Sequence, residues 1–309
     1  MTTGENLPAI AVVVLNWYGR VETVACLRAL AALTYPNVSV ILIDNGCAEF
    51  SAPELATLVA SAEYQRTPMN VGFSAGANMG MRRALERGAR HVWFLNSDAR
   101  PEPGALTELV YAMEAHPGPA IVGAKILQLQ SPQRLDSIAL DINLRSGRLY
   151  MKGHDEIDSG QYDHLRAVRA VAGCAMLVSR AACERLHGFD EQFFAYLEDV
   201  DLCLRARAAG LEVAVAPRAR VFHNRVAATG PRQSTASLYL TTRNHLRLMR
   251  RHGEGGRFWR AARPLAVAAL SIAYALRGAG QRQARLRAVL RGLRDYRRGV
   301  VGEGAAFRA

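Results

Sequence analysis

The chain has 309 residues, half of them hydrophobic, and a formal net charge of +12; the length fits one large domain, or one domain plus an appendage. The charge is uneven: Arg243 to Ala309 hold 16 arginines and three acids, a net of +13, while the first 242 residues carry −1. Five cysteines, never in CxxC spacing, argue against a zinc site and for free buried thiols in a reducing compartment, and the longest nearly charge-free run, Pro264 to Leu276, is too short for a bilayer, which needs about 20 residues.

The N-terminus MTTGENLPA lacks the pattern of a signal peptide and runs directly into a strand. Ile10 to Leu15 is that strand, a continuous apolar run ending in Asn16-Trp17-Tyr18-Gly19. Glu22 to Leu33 has helical spacing and stops at Tyr35-Pro36-Asn37. Val38 to Ile43 is the second strand, completing a right-handed β-α-β unit with a parallel pair. At its tip, Asp44 can accept hydrogen bonds from a ribose or a base, or can serve as a turn residue before Gly46. The first turn has one glycine where a dinucleotide fingerprint needs three, which disfavours NAD. It also lacks the basic glycine-rich signature of a nucleotidyltransferase.

Glu54 to Ala62 is expected as a helix and Tyr64 to Arg66 as a short strand. Asn70 to Gly80 reads as a glycine-rich loop before a helix that runs to about Arg87. Such a loop permits close approach to an anion, or simply a tight turn against a packed helix start. Val92 to Leu95 is a short apolar run between turn residues, the pattern of a buried parallel strand. Ligands of open α/β sheets sit beyond the carboxyl ends of strands, where Asn96, Ser97 and Asp98 follow. Asp98 can there hold a divalent cation on a diphosphate, or start the turn before a helix from Gly104 to Ala115.

His116 to Pro119 end that helix, and Ala120–Val122 and Lys125–Leu129 are expected as strands. The segment 131–165 is polar and irregular, with short strands at Ile138 to Ile142 and Arg148 to Met151. Ala167 to Ala172 returns to β pattern, and Gly173 to Val178 leads through Ser179 into a helix, Arg180 to Leu186. Glu198, Asp199 and Asp201 then open another helix. Acids at a helix start complement its dipole, which accounts for one or two of them better than for all three. Phe193, Phe194 and Tyr196 precede them and would shield the site, raising a carboxylate pKa as a general base requires. Glu212 to Ala216 is a further strand, and His223 follows near Val221 as a structural residue or a ligand.

Taken together, these segments resemble the inverting family 2 glycosyltransferases of the GT-A fold, in particular the bacterial rhamnosyltransferase-like branch. The matching stretches are VVVLNW (Val12 to Trp17), IDN (Ile43 to Asn45), NVGFSAGANMG (Asn70 to Gly80), LNSDA (Leu95 to Ala99), GCAMLVSR (Gly173 to Arg180), GFDEQFFAYLEDVDLCLR (Gly188 to Arg205), VFH (Val221 to His223) and YLTTRN (Tyr239 to Asn244). The resemblance implies an α/β fold: a mixed, mostly parallel sheet flanked by helices, with a C-terminal helical extension. It implies a catalytic domain over residues 1–242, with a nucleotide-binding half at about 8–130 and an acceptor half at about 131–242. It implies that Asp199, beside Glu198, is the base. It also implies that Asn16, Asp44, Asn70, Gly72, Phe73, Asn78, Asn96, Ser97, Asp98 and Arg243, the last followed by Asn244, face the donor.

By the same resemblance Asp98 and His223 hold Mn2+ or Mg2+; the first position of the family's acidic motif is Asn96 here, leaving Asp98 as its one carboxylate. Gly173, Trp17 and Tyr196 are expected near the acceptor, although both rings could equally be core aromatics. The implied reaction moves a sugar, rhamnose first, from a dTDP-sugar or UDP-sugar to a hydroxyl of a glycan or lipid-linked acceptor in bacterial surface polysaccharide synthesis. A UDP-hexose or UDP-N-acetylhexosamine transferase, or a non-catalytic nucleotide-sugar-binding relative, are the alternatives.

The extension, 243–298, carries two helical patterns, Phe258 to Leu276 and Gln281 to Leu293, rich in Ala, Leu and Arg. It suits an amphipathic anchor on an anionic membrane surface, or a basic helix pair for self-association. Nucleic acid fits the charge, but no nucleic-acid module is present. The expected location is the cytoplasm, peripheral to the inner face of the membrane, and residues 299–309 are expected to be disordered.

Overall fold

The computed structural model describes residues 7–115, 118–224, 235–277 and 281–306. Its first half is a parallel sheet. The strands β1 (Ile10–Asn16), β2 (Val38–Asn45), β3 (Ala62–Thr67) and β4 (His91–Asn96) lie in the order β3-β2-β1-β4. The crossovers are α1 (Arg20–Ala31), α2 (Ala52–Leu58) and α3 (Gly72–Glu86). Successive residues of a strand point to opposite faces, so the apolar run of β1 feeds two layers. Val12 and Val14 pack with Leu27 and Leu30 of α1, while Ala11 and Val13 pack with Ala77, Met81 and Ala84 of α3. Each fully buried Val or Leu here contributes about 1.5–3 kcal/mol.

The sheet then changes direction. β10 (Ala175–Ser179) is antiparallel to both its neighbours, β4 and β6 (Ile121–Gln128). β11 (Val213–His223) runs parallel to β6, and β5 (Ala99–Pro101) closes the edge antiparallel to β11. β7 (Ser131–Ser137) folds back on β6, and β8 (Ala139–Ile142) with β9 (Leu149–Lys152) forms a separate hairpin. Four further helices stand on these strands or beyond them: α4 (Ala105–Met113), α5 (Arg180–Leu186), α6 (Glu198–Ala208) and α7 (Thr235–His252). α8 (Arg257–Arg277) and α9 (Arg282–Arg297) pack on α7.

Several expectations are corrected. The glycine-rich stretch is no loop ahead of a helix; it is the first half of α3. A Cβ at Gly76 would lie 2.1 Å from Leu15 Cδ1, and one at Gly80 2.4 Å from Val13 Cγ1. These glycines let the helix press onto β1, a tertiary demand that outweighs their low helix propensity. β6 is one strand where two were expected. Ala167 to Ala172 makes only isolated bridges, to Leu140 and Ala214. β11 continues through Pro217, and its register shifts between Ala216 and Arg220, where proline offers no N–H. The expected boundary at residue 242 falls inside α7. Residues 305–306 are packed where disorder was expected over 299–309: Ala305 N–H donates to the Tyr239 hydroxyl and Ala306 is buried, while Val301 is exposed. His116, Pro117 and 307–309 lie outside the described residues.

Candidate active site

Asn16, Asp44 and Asn96 stand at the carboxyl ends of three adjacent parallel strands, with Asn16 in register with Asp44 and Leu15 with Asn96. Asp44 is fully buried, and its Oδ2 accepts from Glu49 N–H and the Tyr64 hydroxyl, both at 2.9 Å. Its Oδ1 is buried with no hydrogen-bond partner. An orphaned carboxylate oxygen is costly unless a ligand supplies a donor, as a ribose hydroxyl or base N–H would. Tyr64 and Glu49 were not anticipated from sequence; neither lies in a motif.

The other expected donor contacts divide. Asn16 is fully buried and committed: its Nδ2 donates to Glu49 and its Oδ1 accepts from Thr23. Asn70 Oδ1 accepts from Asn45 Nδ2 and from Gly72 N–H, so this side chain fastens the start of α3 to β2. Asn78 is buried and tied to Phe189 and Glu191 through both ends of its amide, which gives it a structural role in place of a donor contact. Gly72 has φ +87° and abuts Phe194, and the Phe73 ring meets Phe189 edge-on. Arg243, expected near the diphosphate, is fully buried beneath the loop at Phe193 and over the Tyr239 ring. Its Nε and Nη2 are spent on Asn244 and the Phe193 carbonyl, while its Nη1 is buried with no hydrogen-bond partner.

At the tip of β4, Asp98 is 2 % exposed, and its Oδ1 lies 3.2 Å from His223 Nε2 but out of line for a hydrogen bond. Ser97 beside it is also buried, and Asn96 Nδ2 lies 3.5 Å from the same Nε2. His223 Nδ1 lies 3.3 Å from Asp136 Oδ2 on β7. Burial alone would lower the imidazole pKa, but the Asp136 and Asp98 carboxylates outweigh it and push it up to about 9. Among the described residues no three His, Cys, Asp or Glu side chains form a ready metal cage. Asp98 with His223 nevertheless offers an oxygen and a nitrogen ligand, which suits a divalent cation completed by substrate phosphates. Asp136 on Nδ1 is the outer partner that fixes a ligating imidazole. It sits in the irregular stretch that carried no periodic signal.

The strand β10 joins this tip to Glu198 and Asp199. Asn96 N–H donates to Cys174 O, and the preceding Gly173 N–H donates to Asp199 Oδ2 at 2.8 Å. A Cβ at Gly173 would meet Asp199 Cβ at 3.0 Å, so glycine here allows the approach. Asp199 Oδ1 accepts from Val200 N–H, and the residue stays half-buried. Glu198 is buried, and its Oε2 has no partner. Burial first, and then the neighbouring Asp199 charge, raise the Glu198 pKa; burial also raises that of Asp199 against its N–H bonds. Burial first, and then the Glu198 and Asp98 charges, push the Tyr196 hydroxyl up to about 12. Trp17 is half-buried and meets Tyr18 edge-on. Asp201, the third acid, is structural: it is fully buried and paired with Arg205, Arg251 and His252.

The loop before Glu198 is held in place. Phe194, Tyr196 and Leu197 have φ of 66°, 72° and 71°. Asn244 Nδ2 donates to the carbonyls of Phe193, Ala195 and Tyr196 at 2.8, 2.8 and 2.9 Å, while its Oδ1 accepts from Arg243. All five cysteines are free, and Cys47 is half-buried where burial was expected. Among the described residues no helix is long and apolar enough to cross a membrane.

Comparison with known proteins supports this architecture. The family model described as Glycosyltransferase like family 2 matches residues 8–250. The N-acetylglucosaminyl-diphospho-decaprenol L-rhamnosyltransferase of Mycobacterium tuberculosis is 26 % identical over 258 residues, covering 76 % of this chain and 81 % of the relative. A 52-residue stretch is 42 % identical to the Escherichia coli rhamnosyltransferase WbbL, covering 17 % of this chain and 20 % of that protein. Staphylococcus aureus TarS 1–349 in complex with UDP-GlcNAc superposes with a TM-score of 0.61 at 12 % identity, covering 94 % and 81 % of the two chains. The mannosyltransferase PcManGT of Pyrobaculum calidifontis, in complex with GDP-Man and Mn2+, gives 0.58 at 16 % identity, covering 96 % and 84 %. The sheet order and flanking helices are those of the GT-A fold.

Proposed function

This chain belongs to glycosyltransferase family 2, in its rhamnosyltransferase-like branch, and we propose that it transfers L-rhamnose from dTDP-L-rhamnose to a hydroxyl of a sugar carried on a polyprenyl diphosphate. The observation that carries the reading is the Glu198-Asp199 pair, clasped by Gly173 next to the strand tip that bears Asp98. Two adjacent carboxylates in one buried site cannot both ionise cheaply. Glu198, the more buried, holds its proton, and the negative charge rests on the half-buried Asp199.

Asp199 accepts the proton of the acceptor hydroxyl as that oxygen attacks the anomeric carbon. The bond from that carbon to the nucleoside diphosphate breaks in the same displacement, and the diphosphate leaves with the electron pair. One displacement inverts the centre and requires no carboxylate nucleophile. Asp98 and His223 would hold Mn2+ or Mg2+, and such a cation offsets the charge growing on the departing diphosphate. Asp44 orients the nucleotide through its free Oδ1. Acceptor contacts come from Tyr196 and from the segment 131–172, and the product enters surface polysaccharide synthesis.

The test is transfer from dTDP-L-rhamnose, with UDP-sugars in parallel, to a polyprenyl-diphosphate N-acetylglucosamine, with Mn2+ or with a chelator. The reading expects turnover with dTDP-L-rhamnose and metal. Asp199→Asn should lower it by about 10²–10⁴-fold while the thermal shift with dTDP persists. Faster turnover with a UDP-sugar would replace the donor. Turnover unaffected by chelator would remove the metal. Full activity in Asp199→Asn would overturn the base assignment.

A further inference from the structure

α8 is an inverted amphipathic helix. Its inward face carries Arg263, 4 % exposed, whose Nε donates to Arg145 O and whose Nη1 donates to Met249 O near the end of α7. Val267 and Ala275 are the other buried residues of this face. At 100° per residue, Phe258, Ala261, Leu265, Ala269, Ile272 and Leu276 fall on one line on the opposite side. That line is free of charge and about 27 Å long at 1.5 Å per residue. It is largely open: Phe258 is 72 % exposed, Leu265 70 % and Leu276 45 %, with Ile272 half-buried, while Leu270 and Tyr274, also exposed, lie off the line. A soluble helix normally turns such a stripe inward, and a contiguous exposed apolar patch marks an interaction surface. Arg257 and Arg277 bracket the stripe at its two ends, and both are exposed. Arg282, Arg287, Arg294, Arg297 and Arg298 of the adjoining α9 segment are exposed as well.

We propose that this face of α8 lies on the surface of an anionic lipid bilayer, with the apolar stripe at the headgroup–acyl boundary and the arginines on the headgroups. Charge selects the occupant. A second copy would bring the same excess of arginine against itself, whereas an anionic leaflet complements it. The stripe matches an interfacial helix that lies in the membrane plane without crossing it. Docking there keeps the enzyme beside acceptors whose lipid tails are in the bilayer, although the proposal stands on the helix face and not on the donor or the acceptor.

Co-sedimentation of the full chain with vesicles of phosphatidylglycerol and phosphatidylcholine tests it, beside vesicles of phosphatidylcholine alone. Binding should require the anionic lipid and should weaken as salt is raised from about 0.05 to 0.5 M, as a short Debye length dictates. Leu265→Ser and Phe258→Ser remove apolar surface at positions already in solvent, so each variant folds. The pair together should lower the partition coefficient by about ten-fold or more, from the transfer cost of two large apolar side chains. Transfer to a short, water-soluble acceptor should be unchanged. Absence of binding to anionic vesicles would overturn the proposal, as would binding equal in wild type and double variant. So would a stable dimer in sedimentation velocity that the double variant dissociates, since the stripe would then be a subunit interface. Tighter binding to duplex DNA than to vesicles would overturn it too.

Discussion

Replacing Asn244 should loosen the loop preceding Glu198 before it loosens anything else. The residue is fully buried, and its amide nitrogen is the shared donor to three carbonyl groups of the loop, those of Phe193, Ala195 and Tyr196. That loop holds three non-glycine residues at positive φ, each costing about 1–2 kcal/mol. Two N–H protons serve the three carbonyls, a net gain of about 2 kcal/mol, and stranding buried carbonyls adds about 1–3 kcal/mol. Relaxation of the strained backbone returns part of this. Asn244→Ala should therefore lose about 2–4 kcal/mol in urea unfolding. Asn244→Asp sharpens the test: it keeps an oxygen for Arg243 but presents no donor to the carbonyls. Because Glu198 follows Leu197 directly, both variants should lose about 10²-fold in sugar-transfer rate, the scale of a 1 Å misplacement. If Asn244→Asp kept wild-type stability within about 0.5 kcal/mol and its full rate, the loop would be held by something else.

Two further predictions concern the frame. Gly80→Ala gains about 1 kcal/mol of helix propensity but places its Cβ 2.4 Å from Val13 Cγ1, on a stiff β-branched side chain in a packed core. Overpacking of about 1–3 kcal/mol should win, so Tm should fall; a rise would show that β1 and α3 can separate at no cost. Asp201 is the pH-sensitive pin of α6. Burial alone would raise its pKa, but His252, Arg205 and Arg251 together hold it below the usual carboxylate range. Its folded pKa thus lies below the unfolded one, so its stabilisation is complete above about pH 4 and is lost as pH falls through the folded value. Asp201→Asn should flatten the acid limb of a stability–pH curve and cost about 3 kcal/mol at pH 7, discounted for the solvent reached by Arg251. An unchanged acid limb would refute the pin.

Much of the site could be read directly. β1, β2 and β4 follow from apolar runs that end in polar turn residues, and the polar ends place Asp44 and Asp98 at one edge of the sheet. Glu198 and Asp199 stood out because three acids exceed what a helix dipole asks for, and the structure assigns the surplus: Asp201 is the structural one. The glycine stretch misled because its function is contact with Leu15 and Val13, and no local pattern distinguishes a packing glycine from a loop glycine. Asn16 and Asn78 read differently in the fold: their polarity suggests ligand contact, while their polar groups are spent on buried partners.

What local chemistry decides, then, is the element list, the alternation of the first half, and the residue types available at the strand tips. Those depend on spacing of a few residues and survive in any arrangement. Tertiary packing decides the rest. The Asp136–His223 contact spans 87 positions, and the bond from Asn244 to Phe193 spans 51. Nothing periodic links such partners, because contact at that separation exists only after the sheet has reversed at β10. The same holds for α8, whose Ala-, Leu- and Arg-rich surface offers more than one plausible inner face. Arg263 finds the carbonyls of Arg145 and Met249 on one side, and that choice leaves Phe258 and Leu265 in solvent on the other.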